Sequence, residues 1–230
     1  GFVMVLASPE IDDGLIFPNN LRNKPLFVVN GGLDRLYPIR RVEPFTRHFK
    51  QNGVEIDYHP EEAGQHNTAW WPEMKEPFEK FVTEHRRDPH PARLTWEAAD
   101  LKHNRAHWLV IDEFGTAKGE AKNLEDLNQI KPPGAPLMSI ATTPLFERPK
   151  GSGRVDLVRV GNAVEATTKG VTAFTLLLSP DVFDFQQPIK VIANGKEVFN
   201  ARVERSVKTL EKWAKRDNDR TMLYGAEITI

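Results

Sequence analysis

The chain has 230 residues, 40% of them hydrophobic, with 31 Lys and Arg against 32 Asp and Glu for a formal net charge of −1. That length can bury a real core as one large or two small domains, and the near-neutral balance supplies no general attraction for nucleic acid or an anionic membrane. The absence of cysteine excludes disulfides, thiolate metal ligands and a thiol nucleophile, while leaving the compartment unknown.

Phe2 to Ala7 is a short apolar run that predicts a buried strand without the element expected before it. The chain is therefore expected to start mid-fold, with its natural N-terminus and any signal peptide upstream. Nowhere does an apolar run approach the roughly 20 residues of a membrane span. Pro25 to Asn30 and Val54 to Tyr58 predict two more strands. Between and after them, Ile39 to Gln51 carries a helical stripe of Val42, Phe45 and Phe49 that stops at Gly53, and Pro72 to Glu84 carries Met74, Phe78, Phe81 and Val82. Strands alternating with helices imply βαβ units and a small parallel sheet of about three strands.

Two prolines in Arg86-Arg87-Asp88-Pro89-His90-Pro91 end the last helix and predict a boundary, giving domains 1–88 and 89–230. The second is predicted mainly β. Its candidate strands are Arg93 to Ala98, Ala106 to Ile111, Val155 to Val160, Ala163 to Thr167, Ala173 to Leu178, Ile189 to Ala193, Val198 to Val203 and Met222 to Ile230. Asn194-Gly195 is a hairpin signal, because a type I′ turn needs positive φ at both central positions. Ser206 is a candidate N-cap for a helix over Val207 to Arg216. A short helix is expected around Asn123 to Ile130, followed by a loop at Pro132-Pro133-Gly134. The fold class is α/β plus β, the second domain being β-sandwich-like with one helix.

The candidate chemistry lies in the first domain. Gly31-Gly32-Leu33-Asp34-Arg35-Leu36-Tyr37-Pro38 delivers a carboxylate after a strand, and Ala63-Gly64-Gln65-His66-Asn67 delivers an imidazole 32 positions later, after another strand. This order resembles the C-terminal half of an α/β-hydrolase, in which the triad runs nucleophile, acid, histidine. The segment looks like the dienelactone hydrolase, phospholipase/carboxylesterase and prolyl-oligopeptidase-like branch. Leu94-Thr95-Trp96 through Trp108-Leu109-Val110-Ile111, and the terminal Arg216 to Glu227, are similar to segments of extended esterases of that kind.

The resemblance implies that His66 is the general base and Asp34 the acid that orients it. It implies a small ester or peptide substrate, with no cofactor and no metal. Tyr37, Trp70 and Trp71 are candidate substrate-binding residues beside the pair. One departure is Gln65 before His66, where the family usually has a small residue. The nucleophile is also lacking. Ser8, Ser139, Ser152, Ser179 and Ser206 are the only serines, and none stands in a Gly-x-Ser-x-Gly elbow. The chain is therefore expected to be a C-terminal fragment of a serine carboxylester hydrolase or related peptidase, inactive alone, whose partner is the missing N-terminal half carrying the serine and oxyanion hole.

Other readings of the same residues are possible. Asp34 can be a turn-forming aspartate, and Trp70 and Trp71 packing anchors. His59, Glu61, Glu62 and His66 can be weighed as metal ligands, although their spacing matches no compact motif. Asp217-Asn218-Asp219 lacks the glycine and terminal glutamate of a calcium loop, so a solvated turn or helix end is expected. Trp96 and Trp108 are expected to pack in the β domain. The whole chain can also be read as a noncatalytic β-sandwich binding or assembly module.

Overall fold

A computed structural model describes residues 2–3, 17–115 and 151–230. They form a mixed α/β structure whose three open sheets are mostly antiparallel. Among the described residues the chain divides into two compact units, one ending at Arg87 and the next beginning at Asp88. The expected helix near Asn123 and the loop at Pro132 lie outside the described residues, as does the rest of the first predicted strand.

The first unit holds a three-stranded parallel sheet in the order β1 (Phe2–Val3), β2 (Leu26–Gly31), β3 (Ile56–Glu61). Helix α1 (Ile39–Gln51) connects β2 to β3, and α2 (Trp71–Glu84) follows β3. Side-chain alternation along β2 divides its apolar residues between two faces. Leu26 and Val28 join Phe49, Val54 and Ile56 in one core, with Phe45 and Tyr58 packed against it. Phe27 faces the other way, meeting Phe78 and Phe81 of α2 at ring-centroid distances of 5.5 and 5.4 Å. Such aromatic pairs contribute about 0.5–1.5 kcal/mol each beyond their buried area. Helix α1 ends at Asn52, and Gly53 takes a φ of +80° that a side chain would oppose.

Two expectations for this unit need correction. The third strand starts at Ile56 rather than Val54 and runs on through His59 and Pro60. Pro60 is tolerated because, among the described residues, β3 is an edge strand, where one side of the backbone has no ladder partner to lose. Val54 is buried, but its N–H donates to the Phe49 carbonyl at the end of α1. Val82 is exposed and leaves the core to Phe81.

The second unit contains a five-stranded sheet in the order β11-β10-β8-β7-β4 and a four-stranded sheet in the order β12-β9-β6-β5. The strands are β4 (Arg93–Ala98), β5 (Arg105–Ala106), β6 (Leu109–Phe114), β7 (Gly153–Val160), β8 (Ala163–Lys169), β9 (Val171–Leu178), β10 (Ile189–Ala193), β11 (Lys196–Ala201) and β12 (Ala226–Thr229). Both sheets feed one hydrophobic core. Leu94, Leu157 and Val191 come from the first, and Ile111, Leu176 and Ile228 from the second. Helix α3 (Val207–Asp217) is capped by Ser206, whose Oγ accepts the Thr209 N–H at 3.2 Å. Asn194 and Gly195 turn β10 into β11 with φ of 50° and 79°.

The predicted strand over Ala106 to Ile111 is instead a tight hairpin. His107 takes a φ of 48°, and Trp108 is buried with its indole N–H donated to the Pro91 carbonyl at 2.9 Å. The final strand is shorter than predicted, and β11 starts two residues earlier. Asp217 closes α3, which agrees with the helix-end expectation, but it is not solvated: it accepts two hydrogen bonds from Arg105, which also lies over the Trp213 ring at 4.5 Å. Trp96 packs against the edge of the core and donates to the His103 carbonyl.

Candidate acid–base site

Strands β2 and β3 end side by side because they pair in parallel register from Leu26–Ile56 to Gly31–Glu61. The loops that leave them are stitched together by backbone hydrogen bonds, from Gly32 N–H to the Glu61 carbonyl at 2.7 Å and from Leu33 N–H to the Gly64 carbonyl at 2.8 Å. This approach explains the glycines. A Cβ on Gly31 would stand 2.6 Å from the Gly64 oxygen, and one on Gly32 would stand 2.4 Å from the Glu62 oxygen.

At this junction the His66 Nδ1 lies 2.8 Å from Asp34 Oδ2. The other carboxylate oxygen, Oδ1, accepts the N–H groups of Leu36 at 2.8 Å and Tyr37 at 3.0 Å. Burial by itself raises the carboxyl pKa, but donation from Tyr37, His66 and Leu36 outweighs it and holds Asp34 below its ordinary 3.8. An ionised carboxylate only accepts, so Nδ1 must carry the proton. In the neutral ring Nε2, on the far side from Asp34, is then the free basic nitrogen. The Asp34 side chain is 8% exposed and that of His66 56%.

Asn30 is a positioning residue that the pattern of apolar runs did not single out. It is buried at the end of β2, donates from Nδ2 to the Tyr37 carbonyl at 2.6 Å, and accepts the Tyr58 hydroxyl at 3.2 Å. The exit of the acid loop is thereby tied to the sheet just before Pro38 opens α1. The available signal was a polar residue closing an otherwise apolar strand.

A cavity of about 260 Å³ opens at the pair. Asp34, His66, Tyr37, Trp70 and Trp71 all line it, so the five candidate residues meet at one place. Tyr37 and His66 rings stand 5.9 Å apart, and Trp71 meets Phe78 edge-on at 5.5 Å. Phe27, Val42 and Phe78 complete much of the apolar wall, and Gln65 and Thr68 belong to the lining as well.

The described part of the first unit contains neither serine nor cysteine. In the second unit Ser152 donates to Glu97 at 2.7 Å, Ser179 is fully buried and Ser206 caps α3. Ser8 and Ser139 lie outside the described residues. Among the described residues no group of three or more His, Asp or Glu is placed to hold a metal ion. His59 instead stands 2.9 Å from Asp57 and packs on Phe27. No helix of the described residues is long and apolar enough to cross a membrane. Comparison with protein-family models, with curated proteins and with solved structures gave no match.

Proposed function

We propose that the first unit carries the acid and base of an α/β-hydrolase type serine centre acting on carboxylic esters or related acyl bonds such as peptides. The observation that carries this reading is the 2.8 Å contact between His66 and an Asp34 whose other oxygen is held by two backbone N–H groups. The parallel order of β1, β2 and β3 supports it, since the two loops leave the carboxyl ends of neighbouring strands. On this reading the serine and the oxyanion donors come from a hydrolase half outside the described residues, and the second unit is an appended β-sandwich-like module.

His66 Nε2 takes the proton as the serine oxygen bonds to the acyl carbon, then returns it to the departing alcohol or amine as that bond breaks. In the second half-reaction it takes a proton from water and gives it back to the serine. Asp34 keeps the ring in the required tautomer and stabilises the imidazolium without itself being protonated.

The test is a chain joined to a serine-bearing upstream half and assayed on 4-nitrophenyl butyrate. The expected result is that His66→Ala lowers kcat/KM by at least about 10³-fold, whereas the 230-residue chain alone gives no turnover. Full activity in His66→Ala would refute the assignment. A second reading, a noncatalytic binding or assembly module, is favoured by the lack of serine and cysteine in the described first unit. It predicts that no upstream half confers turnover.

A further inference from the structure

The cavity beside His66 has a composition that narrows what it can hold. Its wall is an aromatic relay in which Trp70 meets Trp71 at 6.3 Å, Trp71 meets Phe78 at 5.5 Å, and Phe78 meets Phe27 at 5.5 Å, each pair edge to face. Val42 adds an aliphatic surface. Among the described side chains of the lining there is no Lys or Arg, and the one carboxylate, Asp34, is committed to His66 and two backbone N–H groups.

Size and charge then select a ligand class. An apolar protein cavity of about 150 Å³ accommodates benzene, so 260 Å³ takes a phenyl ring with a few further atoms. A ring entering here gains edge-to-face partners. A free carboxylate would lose its hydration beside Asp34 with no cation to replace it, which is costly.

We propose that this cavity is a subsite for a neutral, apolar group of about phenyl size, which would be the acyl portion of the substrate. The substrate role rests on the hydrolase reading above; the binding itself does not, and that separates the two when tested.

The experiment is a titration of the 230-residue chain with phenylacetamide, followed by the indole N–H resonances of Trp70 and Trp71. Phenylacetate and acetamide are titrated in parallel at about pH 8, above the ordinary imidazole range. Phenylacetamide is expected to shift both resonances saturably. Phenylacetate should bind at least about tenfold more weakly, and acetamide, lacking the ring, should shift neither indole. Trp71→Leu, at an exposed position, should weaken phenylacetamide about tenfold; Trp70→Leu serves as the second variant. Because the readout is binding to a chain that the hydrolase reading itself expects to give no turnover, a dead hydrolase centre would not imitate a dead subsite. Unshifted indoles, phenylacetate binding as tightly as the amide, or full affinity in both tryptophan variants would each overturn the proposal.

Discussion

Replacing Asp34 by asparagine isolates the orienting role of the carboxylate, because the side chain keeps its shape and loses its charge. The oxygen at Oδ1 can still accept Leu36 N–H at 2.8 Å and Tyr37 N–H at 3.0 Å, so the amide nitrogen is left facing His66 Nδ1 across 2.8 Å. Two donors then confront each other, and the neutral imidazole relieves this by moving its proton to Nε2. A charge-assisted hydrogen bond worth about 1.5–3 kcal/mol becomes a neutral one worth about 0.5–1.5, so the first unit should lose only about 1 kcal/mol of stability. The tautomer matters far more. On the proposed reading, with Nε2 protonated the base cannot take a proton, and in serine proteases the equivalent change lowers kcat about 10⁴-fold, or about 5.4 kcal/mol. Long-range ¹H–¹⁵N correlation of His66 reads the tautomer directly in this chain. The parent should show protonated Nδ1 in the neutral ring, and Asp34→Asn should show protonated Nε2. The same tautomer in both would refute the reasoning.

Gly31→Ala forces a Cβ against the Gly64 carbonyl, at 2.6 Å without movement; it should cost about 1–3 kcal/mol and lose the His66 Nδ1–H resonance, and unchanged melting with that resonance intact would show that the loops are not pinned there. Burial holds the His90 imidazole below its ordinary 6.5, against the raising influence of Asp181 and Asp88, with Arg159 acting in the lowering direction and Tyr224 packed edge-on. Because the folded pKa is depressed, the unfolded chain takes the proton first, so this stability is intact above 6.5 and is lost as pH falls through the folded value. His90→Phe should flatten that part of the acid limb in denaturant melts, and an unaltered limb would exclude His90 as its source. Asp34 acts in a separate window, losing its contribution only as pH falls from 3.8 through its own lowered pKa. Arg105→Ala strands the nearly buried Asp217 carboxylate and should destabilise the second unit by about 3–5 kcal/mol, most of it recovered by Arg105→Met with Asp217→Leu; a single variant as stable as the parent would contradict this.

Local signals carried much of the fold. The stripe Val42, Phe45, Phe49 with Gly53 located α1, the candidate run from Arg93 to Ala98 located β4, and Asn194-Gly195 located a hairpin, each because the deciding physics lies within a few residues. What stayed hidden depends on partners far along the chain. Nothing near Val171 says that β9 lies between β6 and β12, or that β8 and β10 pair in parallel within an otherwise antiparallel sheet. The run Ala106 to Ile111 suggested one strand because five of its six residues are apolar; a turn at His107 wins because it lets Trp108 reach both the core and the Pro91 carbonyl. At the site, the spacing of Asp34 and His66 was legible, whereas Asn30 was not, since its value lies in reaching Tyr37 and Tyr58 from one position.

Among the described residues, the interactions that set the Asp34–His66 geometry arise between Leu26 and His66: one parallel strand pair, two stitched loops and one amide bridge. That is a local assembly problem, solved when the first unit folds. A serine elbow in the hydrolase reading needs another strand and its own helix, and so belongs to a different folding problem. The exposure of the pair fits this division. On the proposed reading the orienting carboxylate, 8% exposed, is shielded from water that would compete for its donors, while the base, 56% exposed, is left accessible to an arriving hydroxyl. Because attraction between two charges 4 Å apart rises from about 1 kcal/mol in water to about 4 kcal/mol near a protein surface, covering His66 would strengthen the hold of Asp34 on the imidazolium at the moment it forms. On the proposed reading, the component supplied from elsewhere therefore has two tasks: to place one hydroxyl within about 3 Å of Nε2, and to exclude the water that now surrounds it.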